Sequence, residues 1–200
     1  VDTLTWADYV NVVLFDHDTV TYNSNGLTQM TADKKADLKD WLKSNVKTRG
    51  GTDFRMGYEA AFAMLDSSPR CSNCNKALLF MTDGDATWTA DDLAWLQTKR
   101  AEHGCMAFFT YALGSGLSSG ARGHLKQMAC QNEGMYHEVA DGGNLADEMS
   151  SYYNYFASGT AVSGEKKVRW VLYPDAVTGA DLFGACSSAF DYTVDPPKLI

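Results

Sequence analysis

The stretch at residues 77–85 constrains the fold of this chain more than any other. The five residues from Ala77 to Met81 are apolar, and Thr-Asp-Gly-Asp follows them directly. A continuous apolar run of this length predicts a strand that is buried on both faces, as the central strand of a parallel sheet is. The residues after it place hydroxyl and carboxylate oxygens at the end of the strand. In open α/β sheets, ligands bind at that edge.

A second loop with side-chain oxygens lies upstream, at residues 49–53, and precedes a helical stretch. The hydroxyl of Thr52 and the carboxylate of Asp83 are hard oxygen donors, which suit Mg²⁺, Mn²⁺ or Ca²⁺ better than zinc. We expect the two loops to meet at one edge of the sheet and to hold a divalent cation between them. Two ligands do not complete a site, and no other predicted strand end carries an Asp-x-Ser-type cluster that would supply a third.

Strands and helices alternate along most of the chain. Apolar and β-branched runs predict strands at residues 9–15, 19–22, 77–81, 106–113 and 135–139, and helical periodicity with capping residues predicts helices that begin near Thr31, Phe54, Thr89, Ser118 or Ser119, and Asn144. This alternation predicts βαβ units and an α/β fold, with a doubly wound, mostly parallel sheet flanked by helices. The run at residues 9–15 is expected to form one buried strand.

The composition changes towards the end of the chain. Residues 159–167 are small and polar, which predicts a linker after a first domain at residues 1–158. Residues 168–200 restart the pattern with aromatic residues and turns, and we expect them to begin a second, α+β domain. The chain starts at Val1 without an initiating Met and stops as a new apolar segment begins. These features indicate a piece cut from a longer protein.

The charge balance excludes one class of partner. The net charge is −8 and the pI is about 4.9, whereas a nucleic-acid surface needs a basic stripe. The longest apolar runs have the length of strands, so no transmembrane segment is predicted. The five cysteines favour an extracellular or cell-surface protein, and the spacing of Cys71 and Cys74 favours a local disulfide or a turn over a zinc site.

The two oxygen-bearing loops carry a resemblance to a known family. Gly51-Thr52-Asp53, followed by Leu-Phe-Met-Thr-Asp-Gly at residues 79–84, resembles the von Willebrand factor A domain. More closely, residues 51–62 and 128–134 are similar to the alpha-2-delta auxiliary subunits of voltage-gated calcium channels, in which a Cache domain follows the A domain. Residues 170–192 loosely resemble the beginning of such a Cache domain.

The resemblance implies a non-enzymatic adhesion module with a metal-ion-dependent adhesion site built from three loops. Thr52 matches the ligand of the second loop and Asp83 that of the third, while the first loop, Asp-x-Ser-x-Ser, belongs to a strand that this chain lacks. The ion, Mg²⁺ or Ca²⁺ or else Mn²⁺, keeps one position open for an acidic side chain of a protein partner. We expect Asp53, Asp85 and Trp88 to lie at the same edge and to contact that partner, although Trp88 also fits a position packed under the following helix.

Two other functions are compatible with the sequence. The first is a structural extracellular domain in which Thr52 and Asp83 only cap a helix and a strand end. The second is a haloacid-dehalogenase-like phosphotransferase, in which Asp16 is the nucleophile and Asp18 the general acid/base. The spacing argues against this enzyme, because Thr82 and the carboxylates that would bind Mg²⁺ follow a single strand instead of two. Asp16 and Asp18 are better suited to turning an edge hairpin.

Overall fold

A computed structural model describes residues 1–47, 50–67, 76–103, 106–132 and 134–149, together with strands at residues 169–174, 181–186, 190–191 and 198–199. These residues divide into two compact units, Val1–Gly143 and Asn144–Ile200. The predicted first domain extended to residue 158, so the observed division lies earlier along the chain. The predicted linker at residues 159–167 lies outside the described residues.

The helices and strands of the first unit alternate as the sequence predicts. They are β1 (Tyr9–Val10), β2 (Val13–Phe15), β3 (Thr19–Thr21), β4 (Thr28–Gln29), α1 (Ala32–Asn45), α2 (Phe54–Asp66), β5 (Lys76–Thr82), α3 (Ala90–Glu102), β6 (Met106–Leu113), α4 (Ser119–Cys130) and β7 (Met135–Val139). Side chains placed just ahead of the four helices cap them. Thr31, Asp53, Thr89 and Ser118 each accept a hydrogen bond from a backbone N–H in the first turn.

The main sheet has three parallel strands in the order β5-β6-β7. The predicted α/β fold, a parallel sheet flanked by helices, is confirmed. The prediction that residues 77–81 form the central strand is wrong for the described sheet, because β6 occupies the middle and is buried along nearly its whole length. Among the described strands, β5 pairs with β6 alone, and Ala77 on β5 is exposed.

The N-terminal segment forms two short antiparallel pairs. β1 pairs with β4, and β2 pairs with β3 in a hairpin. The expectation of one buried strand at residues 9–15 is therefore wrong. The Asn11 side chain interrupts it by donating to the carbonyls of Asn23 and Gly26 at 2.6 and 2.9 Å, and by accepting from the backbone N–H of Val12 at 2.8 Å. Such side-chain to backbone bonds compete with strand pairing.

The core that positions the edge of the sheet is aromatic. Phe80, on β5, lies 4.5 Å from the ring of Tyr58, 5.2 Å from that of Phe54 and 5.1 Å from that of Phe15. These are the distances at which aromatic pairs attract each other beyond their burial alone. Because Phe54 and Tyr58 lie on the first turns of α2, this cluster fixes the beginning of α2 against the last residues of β5. The loops that precede α2 and follow β5 are thereby brought to one place.

The second unit contains a short helix and antiparallel strands. Its elements are α5 (Leu145–Met149), β8 (Arg169–Pro174) paired with β9 (Asp181–Cys186), and β10 (Phe190–Asp191) paired with β11 (Lys198–Leu199). The resemblance of this region to a Cache domain stays a prediction. In the part of the chain that the structure describes, none of the helices combines the length and the apolarity that crossing a membrane requires.

Candidate functional site

The loop before α2 presents Thr52 at the edge of the sheet. Gly51 precedes it with a φ of +93°, a conformation that side-chain-bearing residues rarely adopt. Asp53 follows it as the N-cap of α2, where its carboxylate accepts a hydrogen bond of 3.0 Å from the backbone N–H of Met56. The glycine turn and the cap fix the backbone on both sides of Thr52.

The loop after β5 presents Asp83 at the same edge. Thr82 is the last residue of β5, and its buried hydroxyl accepts from the backbone N–H of Gly84 at 3.2 Å and donates to the Gly84 carbonyl at 3.0 Å. These two bonds close a tight turn around Asp83, whose side chain is exposed. The carboxylate is therefore available to a ligand and stands directly at the carboxyl end of the strand.

The two loops meet through Thr52 and Gly84. A Cβ placed on Gly84 would stand 2.5 Å from the hydroxyl oxygen of Thr52, so this hydroxyl rests against the residue that follows Asp83. The predicted meeting of the two loops is observed. A partly buried hydroxyl and an exposed carboxylate form a donor set that fits a hard divalent cation. Within the described residues, no three His, Cys, Asp or Glu side chains converge as a metal-binding group.

The loop between β6 and α4 also contacts the loop that follows β5. A Cβ on Gly116 would stand 3.6 Å from the backbone carbonyl oxygen of Asp83, and the carboxylate of Asp85 accepts a 2.9 Å hydrogen bond from the backbone N–H of Ser118. The Ser118 backbone and hydroxyl, with a smaller contribution from Arg122, lower the pKa of Asp85 from its ordinary value of 3.8. Asp85 thus ties the loop after β5 to the start of α4.

The chain is similar to known proteins over nearly its whole length. No family model matches it. The chain is 27% identical over 201 residues to the voltage-dependent calcium channel subunit alpha-2/delta-2 of human, of mouse and of rat, in alignments that cover 98% of the chain and 17% of the relatives' length. The chain therefore spans less than a fifth of the curated relatives that it matches. The predicted resemblance to an alpha-2/delta-type von Willebrand factor A domain is confirmed.

The similarity to one solved structure is distant. Proximal thread matrix protein 1 from the mussel byssus, described with a zinc-occupied MIDAS motif, is 21% identical to this chain and superposes with a TM-score of 0.46. The match covers 63% of this chain and 31% of that protein. A similarity this distant gives no basis for transferring the properties of that protein.

Two of the predicted contact residues form hydrogen bonds within the chain itself. Asp53 caps α2 and Asp85 holds Ser118, so one oxygen of each carboxylate is engaged within the chain. Of the two positions that the sequence allows for Trp88, the structure has a packed one: the side chain is 6% exposed, and its ring lies 5.8 Å from Tyr58 and 6.3 Å from Phe54. Trp88 belongs to the core cluster beneath the edge.

The sequence did not reveal the position of His17. It lies in the turn between β2 and β3, and its imidazole lies so close to Gly51 that a Cβ on this glycine would overlap the ring. His17 is exposed and supports the loop that carries Thr52. Because the turn and the loop are distant in sequence, neither periodicity nor a local motif brings them together.

Asp16 and Asp18 shape the hairpin turn between β2 and β3. The carboxylate of Asp16 accepts from the backbone N–H of Asp18 at 2.8 Å, and that of Asp18 accepts from the N–H of Thr19 at 2.7 Å. In the phosphotransferase arrangement, the nucleophile would follow a strand of the parallel sheet. β2, which ends at Phe15, instead pairs antiparallel with β3.

Proposed function

We propose that this chain is a non-enzymatic, protein-binding module of the adhesion type, which uses a divalent cation held by Thr52 and Asp83. The observation that supports it is the position of the Thr52 hydroxyl against Gly84, beside the exposed carboxylate of Asp83. The loops that carry these two oxygen donors meet at the carboxyl edge of a parallel sheet, where ligands bind in this class of fold.

The ion is proposed to be Mg²⁺, Ca²⁺ or Mn²⁺, because hydroxyl and carboxylate oxygens suit hard cations. Asp83 supplies negative charge at the edge, and Thr52 supplies a neutral oxygen whose position is fixed by the Gly51 turn and the Asp53 cap. By the family resemblance, an Asp-x-Ser-x-Ser loop on a further strand completes the ligand set. One coordination position stays open, and an acidic side chain of the partner fills it.

The partner is proposed to be another protein, met outside the cell or at its surface. The relatives with 27% identity are named as channel subunits, and a subunit functions by associating with other chains. Whether the whole protein to which this chain corresponds associates with a channel is a separate proposal, since the similarity covers 17% of those relatives.

The experiment is a calorimetric titration with Mg²⁺, Mn²⁺ and Ca²⁺ of this chain, and of the chain preceded by any residues that its gene encodes upstream. Thr52→Ala and Asp83→Ala are compared with two control variants that change the same residue types on distant helices, Thr98→Ala on α3 and Asp40→Ala on α1. We expect saturable binding that both edge variants abolish and both controls retain.

Two results of the titration would count against the proposed ion site. Binding that neither edge variant weakens, or no binding by either form of the protein, would contradict the proposed ion site. The A-type fold would stand, and a structural domain without a working ion would be the better description of the chain.

A further inference from the structure

We propose that a cleft at the ends of β6 and β7 binds a basic side chain of the same partner that brings an acidic side chain to the ion. This proposal rests on the function proposed above and identifies the partner's chemistry more closely. The cleft has a volume of about 320 Å³, and its polar lining is Ser115, Arg122, Glu138 and Asp141. Its size is at the lower end of the range for ligand sites and suits one side chain.

The positive charge in the cleft is already neutralised. Arg122 donates from Nη2 to the carbonyl of Gly114 at 2.7 Å, and its Nη1 lies 3.2 Å from a carboxylate oxygen of Glu138. The other oxygen of Glu138 accepts from the hydroxyl of Tyr136 at 2.8 Å. Arg122 and Glu138 therefore form an ion pair with little capacity to attract an anion.

Asp141 gives the cleft a negative charge in excess of the Arg122–Glu138 ion pair. One of its oxygens accepts two hydrogen bonds from Ser115, at 2.7 Å from the hydroxyl and 3.2 Å from the backbone N–H. No cationic side chain among the described residues forms an ion pair with Asp141. Ser115 fixes the orientation of the carboxylate but does not neutralise it, so the cleft has a net charge of about −1 and favours an ammonium or guanidinium group.

The cleft lies next to the proposed ion-binding edge. Gly116, whose Cβ would lie 3.6 Å from the carbonyl oxygen of Asp83, is the neighbour of Ser115 in the cleft wall. The edge loop follows β5, whereas the cleft lies between the ends of β6 and β7. Neighbouring strands are about 4.8 Å apart and an extended peptide rises about 3.3 Å per residue. An acidic and a basic residue two or three positions apart in an extended segment therefore reach the ion and Asp141 together.

The charge of the whole chain favours the same kind of partner. A net charge of −8 attracts a segment that carries basic residues, and this attraction raises the rate of encounter. The acidic residue alone would be repelled by this field. A basic residue nearby offsets that repulsion and fixes the register of the segment.

The test uses two fluorescent heptapeptides that differ at one position, with the cores Asp-Gly-Lys and Asp-Gly-Gln in a glycine background. Their binding to the protein, in the form that binds the ion most tightly, is measured by fluorescence polarisation with Mg²⁺ and with EDTA. We expect the Lys peptide to bind about two- to fivefold more tightly in Mg²⁺, the range for a solvent-exposed ion pair. This preference falls to near one in Asp141→Asn and persists in the charge-matched control Asp40→Asn.

The outcomes separate the two proposals. Equal binding of both peptides in Mg²⁺ overturns the basic subsite and leaves the ion site standing. A preference for the Lys peptide that survives in Asp141→Asn also overturns it, because the attraction then arises elsewhere. If neither peptide binds in a Mg²⁺-dependent manner, the ion-dependent function fails, and the subsite that rests on it fails as well.

Discussion

The hydroxyl of Thr52 lies against Gly84, close enough that a Cβ on this glycine would stand 2.5 Å from the hydroxyl oxygen. This contact joins two loops that the sequence places on either side of α2 and β5. It also means that only glycine leaves room for Thr52 at this point. The arrangement of the proposed ion site is therefore sensitive to the smallest possible side chain next to Asp83.

Gly84→Ala tests the close approach of the Thr52 hydroxyl to Gly84. The added methyl group displaces the Thr52 hydroxyl, and we expect the affinity for Mg²⁺ or Mn²⁺ to fall by about tenfold, the scale of changes that disturb the support of a metal ligand. Calorimetry measures the affinity. Gly123→Ala is the control, since nothing lies within 4 Å of a Cβ on that helical glycine. An unchanged affinity in Gly84→Ala would contradict the placement of Thr52.

Gly51→Ala is expected to destabilise the fold for two separable reasons. The φ of +93° costs a residue with a Cβ about 1–2 kcal/mol, and the Cβ also overlaps the His17 ring. Adding His17→Ala removes the overlap but not the unfavourable φ. The free energy of unfolding of the double variant should therefore exceed, by at least about 0.5 kcal/mol, the value expected if the effects of the two single variants were additive. Urea unfolding measures the free energy of unfolding of the single and double variants.

The adjacent Gly50 serves as the control for that pair of variants. It has open space around its Cβ position, and Gly50→Ala is expected to leave the free energy of unfolding nearly unchanged. Strict additivity of Gly51→Ala and His17→Ala would show that the imidazole does not support this loop.

Asp85→Asn is expected to reduce stability in a pH-dependent way. The folded state lowers the pKa of Asp85 from 3.8, chiefly through the backbone N–H of Ser118, so the charged form is favoured by folding. The stabilisation is complete above the unfolded pKa and disappears as the pH falls through the lower folded value. The difference in urea midpoint between wild type and Asp85→Asn should thus be present at pH 7 and shrink below about pH 3.8. A difference that grows on acidification would contradict the Asp85–Ser118 contact.

Phe80→Ala tests the core under the edge. Three aromatic rings contact Phe80, and its removal is expected to lower the free energy of unfolding by about 3–5 kcal/mol. Trp6, whose side chain is 58% exposed, is the matched control, and Trp6→Ala should change stability by no more than about 0.5 kcal/mol. Chemical denaturation followed by circular dichroism measures both. Similar losses in the two variants would place the stabilising core elsewhere.

Local patterns in the sequence predict much of the fold. The strand Met106–Leu113 and the strand Met135–Val139 lie where the apolar runs predict them, and Thr89 forms a capping box with Asp92 at the predicted start of α3. Each of these features depends on residues that are close together in the chain. The meeting of the two loops that carry Thr52 and Asp83 also follows from sequence, because the ends of parallel strands and the starts of the next helices share one edge of a sheet.

Features that depend on distant residues were not predictable in the same way. The apolar run at residues 9–15 gives no sign that Asn11 bonds to Asn23 and Gly26, and those bonds divide the strand. The apolar sequence of a strand such as β5 predicts a central position in the sheet, whether or not both of its edges are paired with other strands. Trp88 follows a polar loop, and only the aromatic residues of α2 explain its burial.

The central claim, that Thr52 and Asp83 bind one ion, is tested most directly by a double-mutant cycle. Electron paramagnetic resonance measures Mn²⁺ binding to the wild type, Thr52→Ala, Asp83→Ala and the double variant. Each single variant should lose at least about tenfold in affinity, since even the supports of metal ligands are worth 10–100-fold. We predict that the double variant binds no more tightly than the weaker single variant. A wild-type affinity in either single variant would contradict a shared ion at this edge.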